Sequence, residues 1–440
     1  SGAMPYAQWG LNKNGGSSPF SDGFNHAYPA DFIAEGVDQT RGWFFTLHAI
    51  STLLFDQIAF KNVVANGLVL DKNGNKMSKR LGNTVDPFAT VEKYGADATR
   101  WYLIGNAAPW ENLKFDIEGL AEVQRKFFGT LYNTYSFFAL YANLDGYNNY
   151  ESNRIAYKDL SELDRWILSA LNKLIAEVTE SFDNYEPHVA TRAIQDFVND
   201  HLSNWYVRLS RRRFWKSESS DDKRAAFETL QHCLVVVSQL MSPVAPFFAD
   251  WLYRNMTACV RDEAIKNNTP LRFDSVHLTQ LVKVEAGHID QELLNRMDMA
   301  QRICSLVLAI RKKEKIKVRQ PLQKILIPVL DNATEGRIEK VKDLILTEVN
   351  VKEIQYIHDG ETSLIVKSAK PDFKKIGPRA GSAMKEIQQA VQMFTPHQIA
   401  TLERDGEVSI QISTGALVIK RDEIEIVIKD VEGWQVDVNG

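Results

Sequence analysis

Residues 67–80 read Gly67-Leu-Val-Leu-Asp-Lys-Asn-Gly-Asn-Lys-Met-Ser-Lys-Arg80, the end of an apolar run followed by a turn and a basic loop. The run, residues 63–70, is rich in Val and Leu and predicts a strand that extends back to Asn62. Asn73-Gly74 predicts a tight turn, because both residue types tolerate positive φ. The turn would present Lys76, Lys79 and Arg80 around Ser78 at a strand edge. Three cations in a loop suit a polyanion held without covalent chemistry, such as a nucleoside triphosphate. By composition alone a solvated basic turn is the commoner outcome.

Lys76-Met77-Ser78-Lys79-Arg80 resembles the KMSKS signature of class I aminoacyl-tRNA synthetases, with Arg80 in place of the final Ser. Upstream, Glu35-Gly-Val-Asp-Gln-Thr-Arg-Gly-Trp43 resembles the aminoacyl-adenylate motif of the isoleucyl branch of that family. The two motifs, in this order and separated by an expected helix and strand, identify the chain as a relative of that branch. The resemblance implies roles residue by residue. Lys76 and Lys79 are the catalytic candidates; Lys79, Ser78, Gly67 and Asn66 would contact ATP. Asn66-Gly67 stands where many members have His-Gly, so Gly67 is the firmer of that pair. Glu35, Gly36, Asp38 and Gln39 would contact the isoleucyl adenylate, with Trp43 beside the substrate side chain. The residue types fit the chemistry. Adenylate formation is attack of a carboxylate on the α-phosphate while charge grows on pyrophosphate, so alignment and cationic stabilisation carry it. Each residue also has an ordinary structural reading: Trp43 as a core aromatic, Glu35 and Asp38 as a helix cap or solvated acids.

Around this site, residues 30–36 read as a short strand and residues 40–55 as a helix, with Asp38 as its expected cap and Trp43, Phe44, Leu47, Ile50 and Leu54 at helical spacing. With the second strand this makes a βαβ unit, in which ligands sit beyond the carboxyl ends of the strands. Asp86-Pro87 is a helix-start signal and Asp97 a further cap.

Residues 160–182 carry apolar side chains every three or four positions, one face of a long helix. Asn184 to Pro187 breaks it; helices over residues 189–215, 222–241 and from Ser242 onward complete an antiparallel bundle. The second ends in Arg208-Leu-Ser-Arg-Arg-Arg-Phe-Trp215. Arginine forks match phosphates and an aromatic can stack on an unpaired base, so Arg208, Arg211, Arg212, Arg213 and Trp215 are candidate tRNA contacts. The alternative is a solvated basic helix end. A helix over residues 297–316, with Arg311, Lys312, Lys313 and Lys315 expected outside, opens a mixed region. Strands are expected at residues 324–330, 351–356, 408–413 and 423–429, a helix at 338–348, and a basic loop at Lys374 to Arg379.

The expected fold is therefore multidomain: α/β over residues 1–150, the second half of a class I Rossmann-like catalytic domain with its connecting segment; all-α over 151–300, an anticodon-binding bundle; and a small α+β module over 301–440. That last segment looks like the C-terminal extension of the eukaryote-like branch. Composition agrees with a soluble globular protein: 440 residues, 44% apolar, 25% charged, net charge −4. Nucleic-acid binding must then come from local patches. Three separated cysteines, Cys233, Cys259 and Cys304, support neither a disulfide framework nor a zinc site and fit a reducing, cytoplasmic setting. No run approaches the length of a membrane span, and no signal peptide is visible.

No His-x-Gly-His motif occurs, and the editing insertion has no room. The expectation is a piece of a longer, monomeric isoleucine-tRNA ligase whose partners are tRNA(Ile), isoleucine and ATP with Mg2+, the piece itself being inactive alone and free of metal. The alternatives are a non-catalytic tRNA-binding fragment, or a valyl or leucyl enzyme, against which residues 38–43 argue.

Overall fold

The computed structural model describes residues 1–9, 26–148, 154–216, 220–269, 273–329, 331–358, 367–380, 383–413 and 415–428. Residues 10–25, residues 429–440 and the expected boundary at 150/151 lie outside them. The chain forms two compact units, Ser1–Asp290 and Gln291–Gly440.

In the first unit, β1 (Ala30–Gly36) and β2 (Phe60–Asn66) run parallel, with Glu35 opposite Ala65 and Gly36 opposite Asn66. Between them lies α1 (Trp43–Phe55), preceded by a tight helical turn, Val37–Arg41. Ile33, Phe44, Leu47 and Ala59 form the small core beneath this βαβ unit. The expected strand at residues 62–70 is broken. After Asn66 the chain changes partners, and β3 (Val69–Leu70) pairs in parallel with β4 (Leu113–Lys114). Gly67 marks the switch: its N–H donates to the Pro109 carbonyl at 2.9 Å, and a Cβ there would lie 2.1 Å from the Glu111 carbonyl oxygen. Only glycine admits so close a backbone crossing.

Asp86 caps α2 (Pro87–Tyr94), accepting from the N–H groups of Phe88 and Ala89. Asp97 does not cap its own helix, α3 (Ala96–Gly105); its carboxylate accepts from the N–H groups of Phe247 (3.5 Å) and Phe248 (2.5 Å). Burial raises its pKa. Helices α4 (Ile117–Val123) and α5 (Gly129–Asp145) follow, joined by a π-helical turn.

The bundle is α6 (Glu162–Asp183), then α7 (Pro187–Asp196), which passes through a π-helical stretch, Phe197–Val207, into α8 (Arg208–Trp215), then α9 (Asp221–Met241) and α10 (Pro246–Met256). Ser161 and Ser220 cap α6 and α9. The break at Asn184 to Pro187 is as expected, with Tyr185 at φ +58°. The βαβ unit and the bundle belong to one unit. Arg192 donates to the Gly105 and Asn106 carbonyls, Arg100 to those of Pro243 and Val244, and the Tyr185 ring stacks on Phe32 of β1 at 4.8 Å.

The second unit opens on α11 (Gln291–Lys313). Strand β5 (Leu322–Val329) crosses through α12 (Asn332–Glu339) and α13 (Lys342–Val349) to the parallel β6 (Val351–His358), so the single helix expected here is two. Further on, β7 (Lys367–Pro371), α14 (Phe373–Ala380), α15 (Met384–Gln392) and α16 (Pro396–Asp405) precede the hairpin β8 (Glu407–Ile412) and β9 (Gly415–Lys420), and β10 (Ile424–Ile428) pairs antiparallel with β7. The last two expected strands thus pair with other partners. The basic spot at Lys375 lies on a helix and not in a loop, its ammonium donating to the Asp422 carbonyl at 2.9 Å. The buried Ile376, Ile387, Val391, Ile399, Leu402, Ile410 and Ile419 hold this part together.

Candidate functional site

Two backbone ends meet at the carboxyl edge of the first sheet. Gly36 and Asn66 sit in register there, with Glu35 one residue before and Gly67 one residue after. The side chains of Glu35 and Asp38 are exposed, whereas Trp43 is half-buried against the Ile33, Phe44 and Leu47 core. Asp38 is not the helix cap. Gln39 takes that place: its Oε1 accepts the Trp43 N–H at 3.0 Å, and its Nε2 donates to Asp38 Oδ2 at 3.1 Å. A Cβ on Gly36 would come within 2.6 Å of Asp38 Oδ1, so this glycine is what lets the carboxylate fold back over the strand end. Gly36, Asp38 and Gln39 are therefore one tied group at the head of α1.

The basic loop is built on Asp71 and Asn83. Asp71 Oδ1 accepts the N–H groups of Asn73 (3.0 Å) and Asn75 (2.8 Å), and the Gly74 N–H donates to the Asp71 carbonyl at 2.9 Å. Of the Asn73-Gly74 pair only Gly74 takes positive φ, +86°, so the turn is not the two-residue mirror type that the dipeptide predicts. Asn83 then bridges the loop. Its Nδ2 donates to Asp71 Oδ2 (3.0 Å) and to the Lys76 carbonyl (3.3 Å), while its Oδ1 accepts the Ser78 N–H (2.8 Å). Ser78 Oγ caps the following turn by accepting the Leu81 N–H at 3.3 Å. Held by these bonds, the loop leaves Lys76, Lys79 and Arg80 exposed. Asn83 was missed in the sequence, where it carries no signal beyond its loop-forming neighbour Gly82.

These bonds carry a pH signature. The Asn83 amide, together with the Asn75 and Asn73 groups, holds the Asp71 carboxyl below its usual range. For a carboxyl depressed on folding, the stabilisation is present above the unfolded value, about 3.9, and is lost as pH falls through the lower folded value. NMR titration of the Asp71 carboxyl and the Asn83 side-chain amide, from pH 6 to 2, should give one shared midpoint below the ordinary Asp value. A midpoint at or above that value rules the bridge out.

On the bundle, the arginine run divides. Arg213 is engaged inside the protein: Nη1 donates to Asp164 Oδ1 (2.8 Å), Nη2 to Asp164 Oδ2 (2.7 Å) and to the Asp222 carbonyl (2.8 Å). Tyr206 donates to the same Asp164 at 2.6 Å. Asp164 is fully buried and the Arg213 side chain only 13% exposed, so Arg213 has no free fork for a phosphate, contrary to the sequence expectation. Arg211 and Arg212 are exposed, as is Trp215 at 56%, and the Arg208 guanidinium lies over the Trp205 ring. Reading four cations as one surface overlooked the helical period, which turns one of them inward.

Two family models match the chain in the order of these features. Residues 1–116 match tRNA synthetases class I (I, L, M and V), and residues 164–326 match the anticodon-binding domain of tRNA ligase. The fold is that of a class I tRNA synthetase catalytic domain with its anticodon-binding domain.

Within the class the likeness is to isoleucine-tRNA ligases. The chain is 53% identical over its whole length to that of Bacteroides thetaiotaomicron, 52% to that of Cytophaga hutchinsonii, and 37% over 99% of its length to that of Thermus thermophilus. It spans 37%, 38% and 40% of those relatives, respectively.

Proposed function

We propose that this chain is the portion of an isoleucine-tRNA ligase that supplies one half of the adenylate site and the anticodon-binding helices. The whole enzyme would activate isoleucine with ATP to isoleucyl adenylate and transfer it to tRNA(Ile). The observation that carries this is identity above 50% to such ligases over the whole of this chain, with the two motif segments at one sheet edge and in the loop that follows it.

In this reading Lys79 and Lys76 stabilise the charge that grows on pyrophosphate, while Ser78, Asn66 and Gly67 border the nucleotide. Glu35, Asp38 and Gln39 receive the amino group and ribose, Gly36 gives the backbone access, and Trp43 flanks the isoleucine side chain. Mg2+ would accompany the ATP. Arg208, Arg211, Arg212 and Trp215 face the tRNA, with Arg213 holding their helix in place. The same reading has the whole enzyme monomeric and cytoplasmic; among the described residues no helix is long and apolar enough to cross a membrane. The relatives named above are bacterial, and the eukaryote-like branch rests on the tail sequence alone.

Two assays test it. The purified chain should bind isoleucine isoacceptors at least tenfold more tightly than other tRNAs near physiological salt, a difference of about 1.4 kcal/mol. Uniform, weak binding with a steep salt slope would leave only a basic surface. Isoleucine-dependent ATP–pyrophosphate exchange by the chain alone should stay at background, because its 440 residues contain no His-x-Gly-His motif. Robust exchange would mean that the half-site is complete.

A further inference from the structure

The end of α11 carries a second basic feature, unlike the arginine face of the bundle. Beyond Arg311 come Lys312, Lys313, Lys315, Lys317 and Arg319, all exposed, with Glu314 as the one acid among them. Basic residues in a last helical turn answer the helix dipole, which accounts for Lys312 and Lys313. It does not account for Lys315, Lys317 and Arg319, which lie past the helix. Among the described residues none of the five takes part in an ion pair.

What sets this loop apart is how firmly it is held. Arg311, expected to face solvent, is 1% exposed. Its Nη1 donates to the carbonyls of Lys317 (3.2 Å) and Gln320 (3.0 Å), and its Nη2 to that of Asn350 (2.9 Å). Asn350 closes the ring by donating from Nδ2 to the Val318 carbonyl at 2.9 Å. Lys315 and Asn350 both take positive φ, +56° and +51°, to make this path. Backbone bonds from Lys315 to Lys312, Ile316 to Arg311 and Gln320 to Lys317 fill in the rest. A buried guanidinium thus organises the backbone beneath a row of unpaired cations. A cationic array ordered in advance binds a polyanion without the cost of ordering its own backbone.

We infer that the loop of residues 312–319, clamped by Arg311, is a docking site for the sugar-phosphate backbone of tRNA, separate from the Arg208 to Trp215 face. The charge is complementary: the chain as a whole is net negative at −4, yet five cations are concentrated within eight residues. The loop has no aromatic side chain, and Val318 is its one exposed large apolar group. It therefore offers nothing for a base to stack on, and its contribution is sequence-independent, positioning and not reading the RNA. This inference rests on the RNA-binding part of the proposed function.

The test uses the whole 440-residue chain carrying Lys315→Gln, Lys317→Gln and Arg319→Gln together. All three side chains are exposed, and an unchanged thermal unfolding midpoint confirms that the fold survives. Affinity for tRNA(Ile) and for a non-cognate tRNA is measured across salt concentrations. The slope of log affinity against log salt should become shallower by about 2–3, roughly one per phosphate contact removed. Affinity at fixed salt should fall at least tenfold, by the same factor for both RNAs. Lys352→Gln with Lys385→Gln, two exposed lysines elsewhere in the second unit, should leave the slope as it was. If the triple variant keeps the wild-type slope and affinity while the wild-type chain discriminates between tRNAs, the docking site is refuted and the proposed function stands. If the wild-type chain shows no discrimination, the anticodon reading fails, and the slope difference between wild type and variant still decides the loop.

Discussion

Asp164→Ala is expected to lower the unfolding free energy of the chain by about 3–5 kcal/mol, seen as a shifted urea midpoint with an unchanged slope. The carboxylate is fully buried and meets a bidentate Arg213, the Tyr206 hydroxyl and the Ser161 hydroxyl, the last two at 2.6 Å. Removing it leaves the largely buried Arg213 guanidinium with only the half-exposed Asp222 as a partner, its carboxylate at 3.0 Å, and that under-compensated charge accounts for most of the loss. Tyr206→Phe, which deletes one bond to a charged acceptor and leaves the ion pair, should cost less, about 1.5 kcal/mol. The effect reaches the RNA face as well. Arg213 anchors α8, so Asp164→Ala should also weaken tRNA binding without touching an exposed arginine. A loss under about 1 kcal/mol would mean that the pair is open to water and that Arg213 remains available to a phosphate.

Gly67→Ala is the second large effect, expected at the upper end of the overpacking range, about 3 kcal/mol. A methyl group there would lie 2.1 Å from the Glu111 carbonyl oxygen and 2.9 Å from the Asn112 N–H nitrogen, all of it backbone, which cannot swing aside like a side-chain tip. The strain falls on the bonds from Gly67 to Pro109 (2.9 Å), from the Leu68 N–H to Asn112 Oδ1 (2.8 Å) and from Leu113 to Leu68 (2.9 Å), which together redirect the chain from β2 to β3. Gly82→Ala is the natural control. Gly82 has φ +65° with open space around its Cβ, so its cost is conformational only, about 1 kcal/mol. The difference between the two midpoints separates close approach from backbone strain. Equal costs at the two positions would remove the crossing as the reason for glycine at 67.

Much of the architecture was legible in the order of residues. The strand ending in Gly36, the long helices at 162–183 and 221–241, and the Asp86-Pro87 helix start all lie close to where periodicity and capping chemistry put them, whereas the serine caps of the two helices were not anticipated. These features are local: spacing along the chain sets a helix face, and a hydroxyl or carboxylate beside the first turn satisfies free N–H groups. Elements defined by distant partners were not legible. Asp97, local in sequence to α3, caps a helix 150 residues away. The expected strand at 62–70 splits because the Pro109 carbonyl takes the Gly67 N–H and the Glu111 carbonyl crosses close against Gly67.

The sequence by itself determined which chemistry is present: an acidic segment at a strand end, a basic loop after an Asn-Gly pair, and two clusters of arginine and lysine. Tertiary structure alone decided which charges remain available. It turned Arg213 and Arg311 inward as clamps and left Lys79, Arg211, Arg212 and Lys315 in water. The physical reason is that a guanidinium leaves solvent only where several oxygens converge on it, and that convergence is assembled from residues far apart in the chain.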